Sequence, residues 1–135
     1  MHSKDLESQG VGNWVRLAVA SKNEVLANAP DRPATYVIRK GVPFGRLQGE
    51  SDIFYIGSAE GSLRQRLRGY FEPGSTQATN QRIYSEMEKH PDLELGFAPT
   101  SSSGLAKVNE RTWLVEYKRD HGELPPLNRS MPGER

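Results

Sequence analysis

The chain has 135 residues, of which 35% are hydrophobic and 26% charged, with a formal net charge of +1. That length and balance suit a single globular domain able to bury its own core, and they exclude a disordered chain or a uniformly basic or acidic protein. Cysteine is absent, which excludes disulfides and thiolate sites, and His2, His90 and His121 lack metal-ligand spacing.

The first ten residues, MHSKDLESQG, are polar, and no apolar run is long enough to span a bilayer. A cytoplasmic protein without membrane contact is the expectation. In residues 13–28, Trp14, Leu17, Ala18, Val25 and Leu26 fall at helical spacing and stop before Pro30 and Pro33. This predicts a helix over 13–28 within an N-terminal extension covering 1–33. Such a helix either packs on the domain or offers a surface to a protein partner or a second copy of the chain.

Two β-branched and aromatic runs follow, ATYVIR at 34–39 and DIFYIG at 52–57. Both are apolar on both parities, so both faces of their sheet should be covered. The stretch between them, KGVPFGRLQGES, holds three glycines and a proline and suits a long antiparallel hairpin connection. Ser62-Leu63-Arg64-Gln65 fits a capping box and opens a helix. A second helix runs from about Thr79 to Lys89, with Ile83, Tyr84 and Met87 on its apolar side, and ends at His90-Pro91. LELGFA at 93–98 is a third strand. TSSSG supplies an N-cap for a long helix reaching about Asp120, which Gly122 closes before the extended LPPLN. The order ββααβα predicts an α+β fold, a small three-stranded antiparallel sheet flanked by helices, over residues 34–128. Residues 129–135 form a tail.

Charge is unevenly spread. Residues 39–68 carry a net +3 through Arg39, Lys40, Arg46, Arg64, Arg66 and Arg68, whereas residues 71–100 carry a net −3. Arg39, Lys40, Arg46, Arg64 and Arg68 are therefore candidate contacts for a polyanion. Arg66 differs from them. At about 100° per residue it sits on the edge of the stripe made by Leu63, Leu67 and Tyr70. On the last helix, Glu110 stands within the stripe of Ala106, Trp113, Leu114 and Tyr117. A guanidinium and a carboxylate on core-facing stripes each need an opposite charge or a metal ion. A structural Arg66–Glu110 bridge and a functional site both satisfy that need.

These residues carry a family resemblance. Tyr55-Ile56-Gly57, followed by Leu63-Arg64-Gln65-Arg66-Leu67-Arg68-Gly69-Tyr70-Phe71, resembles the YIG half of the GIY-YIG nuclease domain and its following helix. Thr35-Tyr36-Val37 stands where that family has Gly-Ile-Tyr. Asn109-Glu110-Arg111-Thr112-Trp113-Leu114 resembles the helix with the metal-binding glutamate, and Leu124-Pro125-Pro126-Leu127-Asn128 the terminal segment with the family asparagine. The likeness spans about 70% of the chain, from Ala34 to Asn128. Two departures stand out: Thr35 replaces a glycine, and the stretch between the two tyrosines is longer, which implies an extra loop able to touch substrate.

The resemblance implies a divalent-metal-dependent endonuclease that hydrolyses DNA phosphodiesters by a single-metal mechanism. Glu110 would hold Mg2+, with Mn2+ as the alternative ion, against a phosphate oxygen. Arg66 would clamp the same phosphate. Tyr36 would accept the proton of the attacking water, with Tyr55 and Tyr70 orienting water and phosphate, and Asn128 would orient the phosphate or tie the last segment to the site. The alternative is a weakly active or inactive nucleic-acid-binding module that acts with a partner protein.

Overall fold

The computed structural model describes residues 1–132; of the predicted tail, residues 133–135 lie outside them. The β-branched and aromatic runs form the central hairpin, β2 (Ala34–Gly45) and β3 (Glu50–Ala59). Tyr36 faces Gly57 and Ile38 faces Tyr55, but Arg39 faces Ile53, so Phe54 is an extra residue in β3. This bulge lets Phe54 and Tyr55 pack into one core while Ile53 and Ile56 pack into the other. β4 (Glu94–Pro99) pairs with the free side of β2, and the fold is α+β as predicted from the order of elements.

The sheet has four strands, not three. Residues 13–28 are not one helix: β1 (Gly12–Arg16) pairs antiparallel with β4, a 3-10 turn follows at Val19–Ser21, and only Lys22–Asn28 is helical, α1. The sheet order is β1-β4-β2-β3, all antiparallel. Cross-strand packing overrode the helical spacing here. The Trp14 indole lies on Gly96 of β4, where a Cβ would come within 2.7 Å of the ring. The Arg39 guanidinium stacks over the same ring at 3.6 Å from its centroid. Asn13 takes a left-handed conformation (φ 55°) at the irregularity between Gly12 and Val15, a role asparagine tolerates.

Residues 1–33 belong to the domain rather than extend it. Leu17, Val25 and Ala29 pack in the core on one face of the sheet, with α2 (Leu63–Phe71) and α3 (Ala78–Lys89). Leu6 and Val11 pack in the core on the other face, under α4 (Ser103–His121). The apolar side of α1 is therefore covered by its own domain. The helix ends follow the predicted chemistry in part. The Ser62 hydroxyl accepts from the Gln65 amide, but the Gln65 side chain takes a hydrogen bond from Arg68, so half of the capping box forms. Ser102 caps α4 and Gly122 ends it at φ 75°. Among the described residues, no helix is long and apolar enough to cross a membrane.

The long β2–β3 connection lies at the end of the hairpin remote from Ala34 and Ala59. There the Gln48 amide donates to the His121 carbonyl and the Leu47 amide to Glu123, so the extra loop docks on the last turn of α4. Glu50 and Ala59, the ends of the ten-residue β3, are up to about 30 Å apart.

Candidate active site

Gly57 sets the site's inner wall. It pairs with Tyr36, and a Cβ on it would stand 2.7 Å from the Tyr36 Cζ and Oη and 2.7 Å from the Tyr55 Cε2. Only a glycine lets both rings lie across this strand. Tyr36 and Tyr55 ring centroids are 6.1 Å apart, and Tyr36 and Tyr70 are 6.2 Å apart. The Tyr36 and Tyr70 hydroxyls hydrogen-bond to each other, and both residues are fully buried.

Arg66 stands in front of this cluster. The spacing of Leu63, Leu67 and Tyr70, all buried, turns its stem along the edge of the apolar face of α2. Its Nε lies 3.5 Å from the Tyr36 hydroxyl. The Tyr36 side chain is the largest influence that raises the guanidinium pKa above its ordinary value, against the opposing effect of burial. Glu110 comes from the other face of the sheet. It is 4% exposed on α4, and its Oε1 accepts a 2.9 Å hydrogen bond from Ser58, one residue beyond Gly57. Two groups anchored on opposite faces thus meet around the end of the outer strand β3.

They meet in a cavity of about 730 Å3. Ser58 to Ser62 form its floor, Gln65, Arg66 and Gly69 of α2 with Gln77 just before α3 and Asn80 within it one wall, and Lys107 and Glu110 of α4 the other, with Pro132 at the rim. Arg111 donates to the Pro132 carbonyl at 2.5 Å and fixes that rim. The volume is several times that of a phosphate group, and the lining combines cations, carboxylates and amides.

Tyr55 and Tyr70 are both held protonated. Burial raises each phenol well above its usual range, the nearby Tyr36 adds to this, and Arg66 opposes it. The native chain therefore keeps protons that the unfolded chain releases near pH 10. Their contribution is intact below about pH 10 and declines as pH rises toward their folded values, by roughly 1.4 kcal/mol per pH unit for each phenol. Urea midpoints should fall steadily above about pH 10, with tyrosinate absorbance from these residues appearing only on unfolding; a midpoint flat through that range contradicts the assignment.

Asn128 is used differently from a phosphate contact. Its carboxamide oxygen accepts from the Ile56 amide at 3.0 Å, and its Nδ2 donates to the Ile56 carbonyl at 2.8 Å. With the Leu127 amide donating to the Phe54 carbonyl, the terminal segment lies along β3. Asn128 and Tyr55 line a smaller cavity of about 210 Å3 separate from the first. Of the two roles implied for Asn128, the geometry is that of a tie. Asn128→Ala should cost ~1–3 kcal/mol by leaving two strand groups unpaired, lowering Tm by roughly 4–10 °C for a domain of this size, as a thermal melt would record.

The candidate polyanion contacts are not brought together. Arg39 pairs with Glu94 at 2.9 Å, Lys40 with Asp92 at 3.4 Å, and Arg46 with Glu123 at 3.2 Å and the Leu124 carbonyl at 2.6 Å. All three stand on β2 or just past it, beyond the strand end that holds the cavity. Arg64 donates to the Ala29 carbonyl, and Arg68 to Gln65 on the surface of α2. Only these last two share a helix with Arg66.

Ser58, Glu60 and Lys107 were missed as site residues. Ser58 follows the Tyr55-Ile56-Gly57 motif directly, and Lys107 stands one turn before Glu110 on α4; those two spacings were the available signals. Among the described residues, no group of three or more His, Cys, Asp or Glu is arranged to hold a metal ion. The donors on offer are hard oxygens, the Glu110 carboxylate with the Ser58 hydroxyl beside it and Glu60 on the same cavity. That set fits a cation that retains most of its water. No family model matches the chain, and no match was found among curated proteins or solved structures.

Proposed function

We propose that the protein is a divalent-metal-dependent endonuclease that hydrolyses phosphodiester bonds of DNA in the cavity between α2 and α4. The observation that carries this reading is the convergence of Arg66 and Glu110, from opposite faces of the sheet, on one polar cavity. Each charge stands on a helix that also buries apolar residues of its own.

Arg66 binds two oxygens of the scissile phosphate and compensates the charge that grows on them as water attacks. Tyr36 and Tyr70, joined through their hydroxyls behind it, fix its orientation. Accepting the proton of the attacking water requires a phenolate, and Tyr36, the tyrosine in contact with Arg66, is the one placed for that role. Tyr55 and Tyr70, whose protons are held by burial, serve as donors. Glu110, oriented by Ser58, would hold Mg2+ or Mn2+, and the cation would supply Lewis-acid charge to the phosphate. One carboxylate is enough for an ion of this kind. Asn128 keeps the strand that bears Tyr55 and Gly57 in register.

The test is cleavage of supercoiled plasmid and branched DNA with Mg2+ or Mn2+, against EDTA. Nicking or cutting that requires the cation supports the reading. A protein that shifts these DNAs in a gel and cuts none of them is the binding module instead. Neither cutting nor binding leaves Arg66 and Glu110 as structural charges.

A further inference from the structure

Lys107 and Glu60 form a second pair of charges on this cavity, and the reaction proposed above gives neither a step. Lys107 stands on α4 one turn before Glu110; Glu60 stands on the loop that enters α2, six residues before Arg66. Their contact, Nζ to Oε1 at 2.8 Å, therefore joins the helix that bears Glu110 to the loop that leads to Arg66, beside the cavity both residues line. Both side chains are more than half exposed, 58% and 55%. A pair so placed is screened by water and salt and adds little to the stability of the fold. The Glu60 carboxyl is nonetheless held below its usual range, chiefly by the hydrogen bond from Lys107. The contact is made, yet nothing structural depends on it.

We propose that Lys107 is a second phosphate-binding residue, held by Glu60 in the free protein and transferred to a phosphate beside the scissile one when nucleic acid enters. The inference rests on the nuclease reading and narrows its substrate class. A site with Arg66 on one phosphate and Lys107 on another selects a polynucleotide over an isolated phosphodiester. Lysine suits this exchange, because its ammonium is a point charge on a flexible stem that can turn from a carboxylate to a phosphate without a fixed fork geometry. Glu60 then acts as an electrostatic gate: it repels the substrate until Lys107 changes partner.

The test is binding of a short duplex DNA to the full chain in EDTA, measured by anisotropy over a salt series. The proteins compared are wild type, Lys107→Gln, Glu60→Gln and the double variant. Lys107→Gln should weaken binding and reduce the slope of log affinity against log salt by about 0.9, the share of one phosphate contact. Glu60→Gln should tighten binding about twofold or more, and most of that gain should disappear in the double variant. An equal gain with and without Lys107, or an unchanged slope in Lys107→Gln, overturns the proposal. Thermal melts of all three variants should match wild type, since a drop would mark a structural pair. If wild type binds no DNA, this proposal falls, and the nuclease reading falls with it if cation-dependent cutting is also absent. If wild type binds with a steep salt dependence that Lys107→Gln leaves untouched, only the role of Lys107 falls.

Discussion

Replacing Glu110 by glutamine should reduce metal-dependent DNA cleavage about 10³-fold, with the melting temperature unchanged or raised. Glutamine retains a carbonyl oxygen that can accept the Ser58 hydrogen bond, so the helix and the cavity keep their shape. What it removes is the negative charge that, in the proposed reaction, would hold a hard cation, and loss of a single well-placed electrostatic group in such a site typically costs 10²–10³ in rate. Glu110 is 4% exposed and lines the cavity, where a charge kept for function is commonly held at some cost to stability. Its removal therefore relieves strain as often as it creates any. Single-turnover nicking and a thermal melt on the same preparation check both halves. Activity within about tenfold of wild type would remove Glu110 from the mechanism. A large fall in Tm with cleavage intact would make it a structural residue.

The second large effect should come from a methyl group. Gly57→Ala places a Cβ 2.7 Å from atoms of both the Tyr36 and Tyr55 rings, and both rings are enclosed by core. Neither can swing away without displacing Leu63, Leu67 or Tyr70, with which they share a core. Overpacking of this kind costs ~1–3 kcal/mol, and for two trapped rings the upper end is expected, roughly a 10 °C fall in Tm. Movement of Tyr36 also carries off the hydroxyl that positions Arg66. A displacement near 1 Å at such a group is worth about 10² in rate. Cleavage by the folded fraction of Gly57→Ala should drop by that factor even well below its melting temperature. Retention of full activity would show that Arg66 does not depend on Tyr36 for its position.

How far the sequence foretold this fold varies by element. α2 and α4 were legible because spacing, cap and stop agree: Ser62 and Ser102 at their starts, buried leucines and aromatics at intervals of three and four, and Gly122 at the end of α4. β1 was not legible, because what makes Gly12–Arg16 a strand is elsewhere in the chain. The bare backbone of Gly96 receives Trp14, and Arg39 covers its other side. A local reading of Trp14, Leu17 and Ala18 sees only their helical intervals. The bulge at Phe54 was equally hidden, although it determines which face Tyr55 joins.

In the site, the two off-pattern charges were legible because each contradicts the apolar stripe that carries it. Both line the cavity. Ser58 was not, because a serine at a strand end has no such contradiction; only the approach of α4 gives it a partner 52 residues away. The same limit applies to Arg39, Lys40 and Arg46. Their nearness in sequence suggested one basic patch, but each meets its own carboxylate, Glu94 at the start of β4, Asp92 just before it and Glu123 after α4.

The fastening of Leu127 and Asn128 to β3 bears on how the protein survives at high concentration. In the order β1-β4-β2-β3, β3 is a terminal strand, ten residues long and largely apolar. An exposed terminal strand of that kind is a template on which another chain can add its own strand, the usual start of ordered aggregation. The Phe54 carbonyl and both backbone groups of Ile56 are already taken by the protein's own terminal segment. The opposite edge is formed by β1, only five residues long and broken by the irregularity at Gly12 and Val15, which discourages pairing by itself. One end of the sheet is thus short and irregular, and at the other the asparagine that ties down the terminal segment occupies backbone groups on which another strand could pair.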